Sequence, residues 1–259
     1  MTSSNPTYVR LLEAHRRNHP QLFVLVDPDK SDPAELPGFV ADAEEAGVDG
    51  FLIGGSLALL PRFEECICAM KVAAKTPVII FPGGIHQVSG EADAILFLSI
   101  ISGRNPEQLI GQHVIAAPMV RELGLEPIST GYMIIASDTV TSTEYMSYTK
   151  PIPREKAEIA AAHALAAEML GMKLVYLEGG SGASRSVPPE MIRMVRALVD
   201  IPVVVGGGIR NPAAAAEKVA AGASIVVVGN HFEDDGNRGQ IRAFADAVHS
   251  GRTQSITDV

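Results

Sequence analysis

Eight short apolar runs, spaced along the chain and rich in β-branched residues, constrain this sequence more than any other feature. They read LFVLVD (22–27), DGFLIG (49–54), PVIIF (77–81), AILFLSI (94–100), YMIIAS (132–137), KLVYLE (173–178), PVVVG (202–206) and SIVVVG (224–229). Each is apolar throughout instead of alternating, as a strand buried on both faces must be. Helix-like stretches separate most of them. Residues 33–47 close on Gly47; 106–124 and 153–171 each start at or near a proline and end on a glycine; 211–222 repeats the pattern in small. Proline suits the first helical turn and glycine the residue just past the last one. Eight strands alternating with helices in 259 residues predict a (β/α)8 TIM barrel. A doubly wound open sheet is the alternative, disfavoured by the count and by the lack of a glycine fingerprint after strand one.

Two connections break the pattern. Between strands three and four, PGGIHQVSGEAD (82–93) is short and glycine-rich, so the helix after strand three is expected to be reduced or absent. After strand five, 137–153 is long, polar and non-periodic, the profile of a lid or binding loop. The whole chain, 1–259, reads as one barrel domain, with 1–20 as an N-terminal helix or extension and 251–259 as a loose tail.

Charge and cysteine usage limit the partners. The formal net charge of −9 argues against nucleic acid and means that an anionic ligand must be held by local devices. Cys66 and Cys68 point to different sides of a helix and read as two small packing residues. The histidines show no metal-ligand spacing along the chain. The N-terminal residues lack the apolar core of a signal peptide, and no apolar run would span a bilayer. A cytoplasmic location is expected.

In a TIM barrel the reactive groups follow the C-terminal ends of the strands. Glycine clusters occupy three of those positions: Gly179, Gly180 and Gly182 after strand six, Gly206, Gly207 and Gly208 after strand seven, and Gly229 before Asn230 after strand eight. One such loop could simply turn the chain. Three together read as a phosphate cradle built from backbone N–H groups, which needs no net positive charge. Asp27 ends strand one; with the Ser56 hydroxyl it could start a Mg²⁺ site, or it could be a solvated turn residue. Tyr176 and Glu178 share one strand face, so Val175 and Leu177 face the helices. An inward glutamate beside a phosphate loop is either a catalytic base or half of a salt bridge, and the base is favoured.

Five motifs in register, VDPDK (26–30), IGGS (53–56), YLEGGSGA (176–183), VGGGIRNPAAA (205–215) and VVVGN (226–230), resemble the geranylgeranylglyceryl phosphate synthase family. The likeness is greatest to its second group, the PcrB-like prenylglyceryl phosphate synthases, whose strand-six loop reads E-G-G-S-G. The resemblance implies a TIM barrel that joins sn-glycerol 1-phosphate to a polyprenyl diphosphate, with geranylgeranyl diphosphate the expected donor, through an ether bond and with Mg²⁺. It implies that Asp27 and Ser56 hold the Mg²⁺, that Asp27 serves catalysis through it, and that Glu178 activates the glycerol hydroxyl. Glycerol phosphate would lie on Tyr176, Leu177, Glu178, Gly179, Gly180, Ser181, Gly182, Gly207, Gly208, Gly229 and Asn230, with Tyr132 near the prenyl chain. It further implies a homo-oligomer, with transient contact with a membrane surface for the lipid product. One departure stands out. Where some relatives have a lysine two residues before the strand-one aspartate, this chain has Leu25, so a phosphate or diphosphate contact is either missing or supplied elsewhere, with Lys30 and Arg210 the candidates. Two other readings compete. A phosphate-binding isomerase of amino-acid biosynthesis would need a second acid after strand five, for which Asp138 is the candidate. A non-catalytic binder of phosphorylated metabolites would need the glycine loops alone.

Overall fold

The computed structural model describes residues 7–57 and 59–251; the rest of the expected tail, from 252 onward, lies outside them. The chain closes a parallel eight-stranded barrel in sequence order. The strands are β1 (Gln21–Val26), β2 (Gly50–Ile53), β3 (Val78–Ile80), β4 (Ala94–Ile100), β5 (Glu126–Ile134), β6 (Leu174–Glu178), β7 (Val203–Gly206) and β8 (Ile225–Val228). Closure is carried by β1 against β8, with Gln21 opposite Ile225 and Val24 opposite Val228. The helices are α1 (Thr7–Arg16), α2 (Leu36–Glu45), α3 (Phe63–Ala73), α4 (Gln112–Glu122), α5 (Ser142–Ser147), α6 (Ala157–Met169), α7 (Pro189–Arg196), α8 (Pro212–Ala220), α9 (Asn230–Glu233), α10 (Asp235–Arg238) and α11 (Ile241–Ser250).

Alternation along the strands divides the core into two layers. Val24, Phe51, Val175, Leu177, Val203 and Val226 face the helices, whereas Phe23, Leu52, Ile79, Leu96, Tyr176, Val204 and Val227 fill the barrel. Leu11 of α1 joins the interior group, so α1 stops the N-terminal mouth. Glu126 caps it, accepting from the Thr7 N–H at 2.5 Å and the Tyr8 N–H at 3.2 Å, a carboxylate at the positive end of a helix.

The structure corrects several boundaries. Strand five covers Glu126–Ile134 instead of 132–137. Its polar start, with Pro127, reads as loop, yet it pairs with β4 from Ala94–Glu126 through Ile100–Tyr132. Just past the strand, the Ile135 N–H still donates to the Glu178 carbonyl at 2.8 Å, and the Ala136 N–H donates to the Ile152 carbonyl at 2.8 Å. The stretch 106–124 begins as a π-helical turn, Glu107–Gly111, before α4. The long loop 137–153 carries a short helix, α5, whose cap is the Thr141 side chain accepting from the Glu144 N–H. Cys66 is buried in the core, but Cys68 is exposed. The β3–β4 connection holds no helix. It is pinned instead by Gln87, fully buried, which donates to the Gly55 carbonyl at 2.9 Å and accepts from the Gly83 N–H at 3.1 Å.

Candidate active site

β5, β6 and β7 build the centre of the site by register. Tyr132 pairs with Tyr176 and Ile134 with Glu178, so the two tyrosines stand side by side inside the barrel with the glutamate one step above. Their rings lie 5.2 Å apart, and Phe81 stacks on Tyr176 at 5.3 Å. Both hydroxyls hydrogen-bond the Glu178 carboxylate, and the Gly180 N–H donates to its Oε1 at 2.6 Å. Burial pushes the Glu178 carboxyl up to about 7, against the downward pull of those three donors. Burial, and then the neighbouring carboxylate, raises both tyrosine hydroxyls well above their ordinary range, so they stay donors. Donation runs inward to Glu178: Thr143 of α5 donates to Tyr132, and Thr143 Oγ1 lies 3.0 Å from Ser56 Oγ.

The glycine loops converge on this acid. The Gly179 N–H donates to the Gly206 carbonyl at 2.9 Å, Ser181 Oγ donates to Asn230 Oδ1 at 2.8 Å, and Arg210 donates to the Gly182 and Ala183 carbonyls at 3.1 Å each. At Gly206 a β-carbon would collide with the Tyr176 hydroxyl, and at Gly207, where φ is 82°, with Glu178 Oε1. Part of the glycine signal is therefore room for the acid and its tyrosine.

One cavity of about 670 Å³ joins these groups, within the size range of small-molecule sites. Its polar end is lined by Ser181, Gly182, Gly207, Gly208, Gly229 and Asn230; Asp27 and Ser56 flank it; Tyr132, Tyr176 and Glu178 form its floor. From there it runs past Phe81, Ile85, Leu96, Leu98 and Ala116, between the helix-free β3–β4 connection and α4. Leu177, Gly179 and Gly180 lie off the cavity wall. Leu177 is fully buried toward the helices, and the Gly180 N–H is spent on Glu178. The Asp27 carboxylate accepts from the Asp29 N–H at 3.1 Å and pairs with Lys30 at 3.3 Å, while Lys30 also pairs with Glu233 at 2.9 Å. Leu25 lines the cavity; Lys30 is engaged with acids, and Arg210 braces the strand-six loop. Asp138 is exposed and bonded to Ser184 and Arg185 at 2.6 Å each, off the cavity, so the second acid that an isomerase would need is not supplied there. Thr143, Phe81 and the buried His113 enter the site without a motif of their own. Only the long loop and the thin helix ring hinted at them.

The model of the PcrB family matches residues 14–248. The chain belongs to the PcrB family. A protein of Chitinophaga pinensis described as geranylgeranylglyceryl phosphate synthase is 45% identical over 95% of this chain and 97% of its own length. A protein of the same description from Thermococcus gammatolerans is 43% identical over 88% of this chain and 90% of its own. Among solved structures, (S)-3-O-geranylgeranylglyceryl phosphate synthase from Thermoplasma acidophilum, in complex with its substrate sn-glycerol-1-phosphate, superposes with a TM-score of 0.88 at 34% identity, covering 93% of this chain and 98% of that one. This PcrB-family member has no helix, among its described residues, long and apolar enough to cross a membrane.

Proposed function

We propose that this PcrB-family chain forms an ether bond between sn-glycerol 1-phosphate and a polyprenyl diphosphate, geranylgeranyl diphosphate being the expected donor. One observation carries the reading: a buried carboxylate stands where a glycine-lined polar pocket meets an apolar arm in the same cavity. The polar end suits a small phosphorylated alcohol, and the arm suits a prenyl chain. Membership of the family and the named relatives support the same chemistry.

In the reaction, the glycerol hydroxyl oxygen attacks C1 of the allylic diphosphate. The C1–O bond to diphosphate breaks and the diphosphate leaves with the electron pair. Glu178 takes the hydroxyl proton, and its pKa of about 7 suits a base working near neutral pH. The Tyr132 and Tyr176 hydroxyls and the Gly180 N–H hold the carboxylate in place. Holding both reactants in one cavity removes much of the entropy cost of meeting, an effect that can reach roughly 7–11 kcal/mol.

Asp27 and Ser56 fit Mg²⁺. They offer a carboxylate and a hydroxyl, hard oxygen donors. Beside them Gly55 keeps space open, since a β-carbon there would come within 3.3 Å of Asp27 Oδ1. Bound there, Mg²⁺ would neutralise charge on the departing diphosphate. A cytoplasmic location and self-association belong to the same proposal; Val114, Ile115 and Met119 give α4 exposed apolar side chains suited to a second copy.

The test is incubation with sn-glycerol 1-phosphate, Mg²⁺ and prenyl diphosphates of several lengths, with lipid products identified by mass. A prenylglyceryl phosphate is expected. No ether product with any donor, or phosphosugar isomerisation without Mg²⁺, would overturn the proposal.

A further inference from the structure

At the opposite mouth of the barrel, three residues from distant parts of the chain meet. His19 lies between α1 and β1, Asp49 directly precedes β2, and His249 stands in the last turn of α11. Each presents one ligand-type atom, and all three atoms lie within 4.8 Å of one another.

Local structure fixes each position. Asn18, at φ 51°, ends α1 and turns the chain, and the His19 N–H is tied to the Ala14 carbonyl at 2.9 Å. The Asp49 N–H donates to the Leu22 carbonyl at 2.9 Å, while Asp49 Oδ2 accepts from the Leu22 N–H at 2.8 Å. That second bond orients the carboxylate as outer partners orient metal ligands. His249 Nε2 lies 2.8 Å from Asp49 Oδ2. The His19 and His249 rings stack with centroids 5.6 Å apart. With metal–nitrogen bonds of about 2.0–2.1 Å, two imidazoles sharing one ion have centroids about 5–6 Å apart. The pair has that spacing, and the exposed His19 ring has to turn out of the stack to aim its nitrogen at a shared ion.

We propose that His19, Asp49 and His249 form a binding site for a divalent transition-metal ion, separate from the catalytic cavity. Two imidazoles and one carboxylate suit Zn²⁺ or Co²⁺, with water completing the shell. The ion displaces the proton shared between His249 and Asp49 and replaces their hydrogen bond with two coordinate bonds. Its effect is structural. It clasps the entry to β1, the entry to β2 and the C-terminal helix, joining early and late parts of the chain where the barrel closes.

The test uses the full, tag-free chain after treatment with a chelator. Zn²⁺ titrated calorimetrically should bind at one equivalent, Co²⁺ should give a visible d–d band, and Zn²⁺ should raise Tm. His19→Ala removes a direct ligand, so Zn²⁺ binding should weaken by at least the roughly 10–100-fold that loss of an outer partner costs, and the Tm rise should be abolished. His19 is exposed, so metal-free Tm should be the same in wild type and variant, and a His249→Gln variant supplies a second reading. Equal Zn²⁺ affinity and stoichiometry in wild type and both variants, or no uptake by wild type, would overturn the site and leave a plain His–Asp ion pair.

Discussion

Gly207 lies directly against the Glu178 carboxylate: its φ is 82°, and a β-carbon there would run into Oε1. Gly124, at φ 65°, has nothing within 4 Å of such a carbon. Alanine at either position costs backbone strain of about 1–3 kcal/mol. Only Gly207→Ala should also displace the acid. Thermal unfolding and prenyl-transfer rates of the two variants check this. Both should lose stability, and Gly207→Ala alone should lose most of its rate. Equal rates in the two variants would break the link between loop and acid.

Ser56, Thr143, Tyr132 and Glu178 form one chain of hydrogen bonds from the strand-two loop to the base. Thr143→Val keeps the shape and removes the link from α5. A neutral hydrogen bond contributes about 0.5–1.5 kcal/mol, so kcat should fall by a factor of about 2–10 with KM for glycerol phosphate little changed. Thr143→Ser should restore it. A valine variant as fast as wild type would reduce Thr143 to a packing residue.

The fold was legible because parallel strands buried on both faces write themselves as solid apolar runs. Seven of the eight runs overlay their strands closely. The fifth was displaced because Glu126, Pro127, Ser129 and Thr130 look like loop until their pairing to β4 is seen. Glu178 was legible from its place two residues after Tyr176 on one strand face. Its partners across the barrel were not: Tyr132 reaches it from the neighbouring strand, and Thr143 reaches Tyr132 from a loop that shows no period. The His19, Asp49 and His249 cluster was invisible for the same reason, since spacing along the chain reports only local ligand sets.

Asp27 accepts one backbone bond and one lysine contact, neither of which anchors the core. Asp27→Asn should therefore keep the fold, with Tm within about 2–4 °C of wild type, a half-buried polar exchange without a core contact costing about 1 kcal/mol or less. Prenyl transfer should be nearly abolished and should need far more Mg²⁺. A normal rate with normal Mg²⁺ dependence would remove Asp27 from the metal site.

Ala116 faces the apolar arm from α4. Ala116→Trp narrows that arm while leaving the glycine pocket and Glu178 untouched. Donors of differing length, assayed side by side, should lose rate in order of length, the longest first. Uniform loss across all lengths would mean that the chain leaves the site by another route. Circular dichroism and Tm separate this from misfolding, since Ala116 is buried and overpacking alone costs about 1–3 kcal/mol.

Glu178 sets function against stability. A carboxyl whose pKa in the fold, about 7, stands above its ordinary 4.5 makes the native state bind the proton more tightly than the unfolded chain does. Its contribution is most favourable below about 4.5 and declines as pH rises to about 7, by up to about 3 kcal/mol. Activity moves the other way, because the base must be ionised, so kcat/KM should climb with pH through about 7. Glu178→Gln removes both dependences. At pH near 8 it should be more stable than wild type by about 1–3 kcal/mol, while prenyl transfer falls by about 10²–10⁴. Denaturant unfolding at several pH values and single-turnover kinetics give the two readings. A variant that is less stable at that pH and still fast would show that this acid is a structural partner and that the proton leaves by another group.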